Sequence, residues 1–270
     1  MRINNNIMAL NTHRQLSFNQ TQGAKSLEKL SSGYRINRAG DDAAGLAISE
    51  KMRSQIRGLS MASKNAQDGI SLIQTAEGAL NEAHAILQRM RELAVQSASD
   101  TNTDDDRAEL QKEVTELIGE LDRIAQNTEF NTETLLDGNY TGKFIHIGAN
   151  ADQTLEIEIG DMTASGLTVD AVDISGQTDA NTAIGTIDTA INSLSAERSS
   201  LGAYQNRLEY TIRNLDNAAE NLQAAESRIR DVDMAREMME FTKNNILQQA
   251  ATAMLAQANM LPQSVLQLLG

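Results

Sequence analysis

The chain has 270 residues, with 37 acidic and 23 basic side chains for a formal net charge of −14, a single Pro, and neither Cys nor Trp. That charge argues against a sequence-independent nucleic-acid binder, which needs Lys and Arg to neutralise phosphates. The absence of Cys excludes disulfides, thiolate metal sites and a cysteine nucleophile. With 40% hydrophobic residues but only four Phe and four Tyr, the core must come from Leu, Ile, Met and Ala, and so little Pro favours long helices over a sandwich or barrel.

The chain opens with Met1-Arg2-Ile3-Asn4-Asn5-Asn6, which has a positive charge but no apolar run behind it. It does not read as a conventional secretory signal, so a cytosolic protein or export by another route is expected. No stretch approaches the ~20 apolar residues of a membrane span, and no membrane partner is expected. Residues 1–40 hold six basic and one acidic residue, a net of +5, whereas residues 241–270 hold only Lys243 and the middle has a net of −20. Both ends differ from the centre in the same direction, which predicts that they belong together.

The first segment carries Ile3, Ile7 and Leu10 and then turns polar. Met52, Ile56, Leu59, Ala66, Ile70, Ile73, Leu80 and Leu87 share one heptad frame, and Leu72, Ala76, Ala79, Ala83, Ile86, Met90 and Leu93 form an adjacent stripe. Two neighbouring stripes predict a helix that touches more than one partner. Glu77 and His84 interrupt the first stripe and are expected to rotate into solvent. Ser99 to Asp104 has turn and N-cap composition, and Leu110, Val114, Leu117, Leu121 and Ile124 mark the core face of a third helix.

Between about 138 and 180 the pattern changes. Phe144-Ile145-His146-Ile147 and Leu155 to Ile159 alternate with period two and predict short strands. From Ile184 through Ile191, Leu201, Leu208, Ile212 and Leu215 to Ile229 a second heptad stripe runs for six repeats. That favours coiled-coil packing of a helix roughly 70 Å long. Leu247, Met254, Leu261, Val265 and Leu268 form a last, nearly uncharged stripe, with Pro262 expected to kink or end the helix near Leu261. Neither terminal helix can bury its stripe alone.

The expected architecture is therefore mainly α: a long antiparallel helical coiled-coil shaft (41–137 with 180–234), a small β-hairpin region at 138–179, and paired terminal helices (1–40 with 235–270). Catalytic chemistry is not in view. His13, His84 and His146 are scattered, no phosphate loop or G-x-G-x-x-G occurs, and the Asp100, Asn102, Asp104 spacing lacks the Gly and Glu of a calcium loop. No cofactor, metal site or catalytic residue is expected.

The residues resemble the bacterial flagellin family. Leu27-Glu28-Lys29-Leu30-Ser31-Ser32-Gly33-Tyr34-Arg35-Ile36-Asn37, followed by Arg38-Ala39-Gly40-Asp41-Asp42-Ala43-Ala44-Gly45-Leu46-Ala47-Ile48, is similar to its N-terminal signature. Leu87 to Gln96, Leu201 to Leu208, Ala225 to Asp233 and Ala253 to Asn259 resemble later blocks in the right order. The match covers roughly 1–136 and 196–270 and is weak between, as in short forms of Bacillus-type bacteria that lack large outer domains. Thr132 after Phe130-Asn131 stands where the family usually has Gly, and the chain ends in Gly270 rather than the usual Arg.

The resemblance implies a non-enzymatic structural subunit that polymerises with itself into the helical flagellar filament for motility, secreted unfolded through the flagellar channel. It implies as partners an export chaperone and the secretion apparatus, the filament cap and hook–filament junction proteins, and the animal Toll-like receptor for flagellin. Polymerisation is expected to use Ile3, Ile7, Leu10, Leu247, Met254, Leu261, Val265 and Leu268, with 1–40 and 241–270 helical only in the polymer. The family's receptor block maps onto Arg89, Leu93 and Glu113. A hook–filament junction protein is the nearest rival reading; a generic coiled-coil scaffold would leave the uncharged termini unexplained.

Overall fold

The computed structural model describes the backbone of residues 6–269 and side chains through residue 260. Five helices dominate: α1 (Ile7–Ser32), α2 (Ala43–Ser97), α3 (Asp104–Asn127), α4 (Gln177–Arg230) and α5 (Met234–Leu269). Between α3 and α4 lie two antiparallel hairpins, β1 (Glu129–Phe130) with β2 (Glu133–Thr134) and β3 (Lys143–His146) with β4 (Thr154–Ile157). The chain forms two compact units, residues 1–54 with 221–270, and residues 55–220. This division falls inside the long helices α2 and α4.

Local chemistry sets the helix ends. The Asn6 side chain accepts the Ala9 N–H at 3.2 Å and caps α1. Gly33, at φ 76°, ends α1 in the left-handed region that glycine enters without a Cβ penalty, its N–H reaching the Lys29 carbonyl at 2.9 Å. Asp42 accepts the Gly45 N–H at 2.8 Å at the start of α2. Thr103 and Asp106 form a reciprocal capping box on α3. Of the kink or end expected near Leu261, the end does not occur: α5 runs through Pro262 to Leu269. One proline deletes one backbone bond, and the Gln, Leu and Val residues beyond it re-establish the ladder.

In the 55–220 unit, ion pairs join α2 to α4 as Glu77–Arg198 (3.8 Å) and Arg91–Asp188 (2.5 Å), and Ser63 bonds Asp216 at 3.2 Å. Partners on α4 recede as α2 advances, so the two run antiparallel. The core follows the heptads. Ile73, Leu80, Leu87 and Met90 of α2 meet Ile187, Leu194, Leu201 and Leu208 of α4, all fully buried, with Val114 and Leu121 of α3 closing the third side. The stretch 135–174 belongs to the same core through Leu155, Ile157, Ile159, Val169 and Ile174. The β3–β4 hairpin rests on α2 at Gly69, where an added Cβ would strike Ile145.

Three features differ from the sequence expectation. Glu77 and His84 are half-buried rather than solvated; Glu77 meets Arg198, and His84 shares a 2.9 Å hydrogen bond with Gln88. The β1–β2 hairpin has no counterpart in the sequence reading, because two-residue strands carry too little alternation to register. Arg107 is buried, donating to the Ser97 and Ser99 carbonyls at 3.0 and 3.2 Å. Its guanidinium thus closes the C-terminal end of α2, a role that dipole and donor count both favour.

Candidate polymerisation interface

The 1–54/221–270 unit is built around the α1–α5 pair and the junction beneath it. Asn6 donates to the Ala258 carbonyl at 2.8 Å, and Lys29 faces Glu237 at 3.9 Å at the other end, so α1 and α5 are antiparallel. At the junction, Tyr34 lies between the guanidinium groups of Arg53 (5.4 Å) and Arg230 (4.7 Å), a double cation–π contact. Arg53 donates to the Tyr34 hydroxyl at 3.1 Å and to the buried Glu226 carboxylate at 2.8 Å, and these bonds hold its pKa above the ordinary guanidinium value, Tyr34 contributing most.

Backbone bonds from Arg35 N–H to the Arg230 carbonyl (2.7 Å) and from Val232 N–H to the Gly33 carbonyl (3.0 Å) stitch the two connections together. Asp41 takes the Asn37 and Arg38 N–H groups at 3.2 and 3.0 Å. Within the block of residues 27–48, Gly33, Asp41 and Asp42 thus act as caps, and Tyr34 and Arg35 tie the connection to Arg53 and Arg230.

Above this junction almost nothing apolar is covered. Of α1 only Ser26 is buried, and Ala258 is the one buried apolar residue of α5 among described side chains. Ile7 is 61% exposed, Leu10 66%, Phe18 58%, Met239 67%, Ile246 59%, Leu247 41% and Met254 58%. Of the exposed large apolar side chains among the described residues, only Met61, Val95, Phe144 and Tyr210 lie in the other unit. Soluble monomers seldom leave such a patch uncovered unless it is an interaction site.

The predicted interface residues Ile7, Leu10, Leu247 and Met254 all lie on this uncovered surface. Ile3 falls outside the described residues, as do the side chains of Leu261, Val265 and Leu268. Sequence reading missed Phe18, Met238, Met239 and Ile246, which sit off the strict stripe and were legible only as low charge around an apolar residue.

The receptor block fares unevenly. Arg89 donates to Glu113 at 2.9 Å and to Glu92 at 3.1 Å, and both Arg89 and Glu113 are exposed. The Glu113 carboxylate, first among its partners, holds the Arg89 pKa above the ordinary value. Leu93 is 1% exposed and packed in the core. It is therefore corrected from a surface contact to a core residue. Among the described residues no group of three or more His, Asp or Glu could hold a metal, and no helix is long and apolar enough to cross a membrane.

A mainly helical chain whose terminal helix pair bears an uncovered apolar surface defines the class: a structural protein built to be completed by other molecules. Comparison with known proteins makes it particular. Residues 3–141 match the bacterial flagellin N-terminal helical region and residues 184–269 the bacterial flagellin C-terminal helical region. The chain is 60% identical to a flagellin of Halalkalibacterium halodurans and 56% identical to a flagellin of Bacillus subtilis (strain 168), each over the whole of both chains. A crystal structure of Bacillus cereus flagellin, at 34% identity, covers 60% of this chain and 94% of that one with a TM-score of 0.50. A Vibrio parahaemolyticus chain described as a flagellar hook-associated protein shares the fold at 11% identity, covering 71% of this chain and 100% of that one with a TM-score of 0.59. This chain belongs to the bacterial flagellin family. It is an exported structural subunit of the flagellar filament.

Proposed function

We propose that the α1–α5 pair is the surface through which subunits polymerise. The observation that carries this is the uncovered apolar surface of that pair. Being about half covered already, each such side chain gains ~1 kcal/mol when its remaining surface is buried, so a dozen of them supply on the order of 10 kcal/mol to subunit contacts. The same exposure supports the expectation that 1–40 and 241–270 are stably helical only in the polymer, because the pair alone covers too little to offset its ordering entropy. A head-to-tail contact that does not close generates an open helix rather than a ring.

Deleting residues 247–270 should abolish filament formation in electron micrographs while far-UV circular dichroism shows the 46–229 core still helical. Filaments from the truncated chain would refute the assignment. Export through the flagellar channel with a chaperone, capping by the filament cap and docking on hook–filament junction proteins follow from membership of the family and remain part of the same proposal. The rival role as a hook–filament junction protein is separated by the same micrographs, since a junction protein does not grow long filaments.

The Toll-like receptor reading rests on the exposed Arg89–Glu113 pair alone. An Arg whose planar fork pairs and whose stem packs is a frequent hot spot. Arg89→Ala should weaken binding of monomer to the receptor by ~2 kcal/mol or more. Unchanged affinity by surface plasmon resonance would remove the assignment and leave the filament reading standing.

A further inference from the structure

The chain holds eleven Met and no Cys, so thioethers are its only sulfur. Their surroundings differ sharply between the two units. Met90 and Met162 are buried in the core of the 55–220 unit, among side chains that are mostly Leu, Ile, Val and Ala. The terminal unit has thirteen exposed large apolar side chains among its described residues, and six of them are Met. Met8 lies on α1; Met234, Met238, Met239, Met254 and Met260 lie on α5, where only Ile246 and Leu247 join them. Met254 shares with Leu247 and Ala250 the groove between α5 and α1. At 3.6 residues per turn, Met234, Met238 and Met260 fall on the side of α5 away from that groove.

An exposed thioether presents its sulfur lone pair to dissolved oxidants, and a buried one does not. With hydrogen peroxide the sulfur attacks one oxygen, an S–O bond forms and the O–O bond breaks. The proton of the transferred hydroxyl passes to the departing one, which leaves as water. Sulfur gives up two electrons and the peroxide takes them. The product is a sulfoxide, a polar and chiral group where a flexible apolar one stood. Its oxygen is an acceptor that is unfavourable to bury in an apolar contact without a donor.

We propose that the thioethers of Met8, Met234, Met238, Met239, Met254 and Met260 are a peroxide modification site, and that their oxidation in the free subunit keeps it out of the polymer. This rests on the α1–α5 pair being the polymerisation surface and adds a chemical control of that surface. With no Cys in the chain, no thiol reacts first. Neighbouring subunits that cover the pair also cover its sulfurs, so the free subunit is the vulnerable species and the filament the protected one. The change is reversible, because sulfoxide reductases act on each epimer.

The test treats the full chain, as monomer, with hydrogen peroxide. Peptide mass spectrometry reads the oxygen added at each Met, and sedimentation reads the critical concentration for filament growth. Oxidation is expected at the six exposed Met, with Met90 and Met162 unmodified and the 46–229 core still helical by circular dichroism. Critical concentration should rise roughly tenfold or more as polar sulfoxides replace apolar contacts. A variant with all six changed to Leu (Met8→Leu, Met234→Leu, Met238→Leu, Met239→Leu, Met254→Leu, Met260→Leu) should assemble untreated and lose the peroxide effect. Methionine sulfoxide reductases for both epimers should return oxidised wild-type chain to within about threefold of untreated chain, and this rescue decides alone if the Leu variant does not assemble. An unchanged critical concentration with the six sulfoxides in place, an undiminished peroxide effect in the Leu variant, or a loss that persists after the sulfoxides are reduced would overturn the proposal. The 247–270 truncation reports separately on the interface: filaments grown from it would remove the α1–α5 reading whatever peroxide does.

Discussion

At the scale of single residues the β1–β2 turn shows what backbone geometry demands. Glu129 faces Thr134 and Phe130 faces Glu133, leaving Asn131-Thr132 as a two-residue loop with φ of 51° and 68°. Positive φ at both positions is the twist-matched hairpin turn, for which Asn-Gly is the preferred pair. Asn131 suits its place; Thr132, β-branched, does not. Thr132→Gly should therefore stabilise the 55–220 unit by ~0.5–1 kcal/mol, less than the ~1–3 kcal/mol of local strain because glycine also loosens the unfolded chain. A rise in thermal midpoint by calorimetry checks it; a fall would mean that Thr132 makes a contact worth more than its strain. The departure of Thr132 from the family's usual Gly was legible in the sequence, but the hairpin that makes it costly was not. Arg107 and Leu93 teach a related lesson. A charged residue inside a core, or a leucine on a second stripe, can be placed only once the neighbouring helix is in view.

At the scale of elements the heptads were legible because a helix must keep one face toward its partner over its whole length. The stripes became α2 and α4, and their phase was right: Ile73, Leu80, Ile187 and Leu194 are all buried. What the pattern could not give was the environment of polar groups at element contacts, and these set the pH response. Asp41 is held below its ordinary carboxyl range chiefly by the Arg38 N–H, Asp106 by the Thr103 N–H, and Asp137 by the Thr134 hydroxyl. A depressed folded pKa gives stability that is present above the unfolded value and lost as pH falls through the folded one. These caps therefore weaken only below about pH 4, the unfolded Asp value. Glu197 on α4 runs the other way. Burial pushes its carboxyl up, against the Gly160 N–H that it accepts at 3.4 Å. A raised acid pKa penalises the folded state above that pKa, and the penalty fades as pH falls toward the unfolded value. Glu197→Gln should thus raise the thermal midpoint at pH 7, with the difference closing near pH 4. A difference independent of pH would assign the gain to packing instead.

At the scale of the whole molecule, the separation of charge from exposed apolar surface decides how assembly responds to solvent. The terminal unit is near neutral and apolar on its surface, the 55–220 unit strongly anionic, and the chain as a whole carries −14 with a sequence pI near 4.6. That the ends belong together was legible from charge and stripe alone; where a subunit's contacts lie was not, because an interface stripe and a core stripe look the same until the fold shows which is covered. Burying the α1–α5 surface brings many copies of the anionic unit close together. Their mutual repulsion acts over the Debye length, ~30 Å at 10 mM salt and ~8 Å at 150 mM. Close ion pairs act over a few ångströms and lose much less to screening, while apolar burial does not depend on charge at all. Long-range repulsion is therefore the component that salt removes first. Critical concentration, measured by sedimentation, should fall as salt rises from about 10 to 150 mM, and should fall again on moving from pH 7 toward pH 5, where protonation of carboxylates lowers the net charge while the Asp caps still hold. If added salt instead dissolved filaments, ion pairs rather than apolar contacts would hold the polymer together, and the α1–α5 surface would lose its place as the main interface.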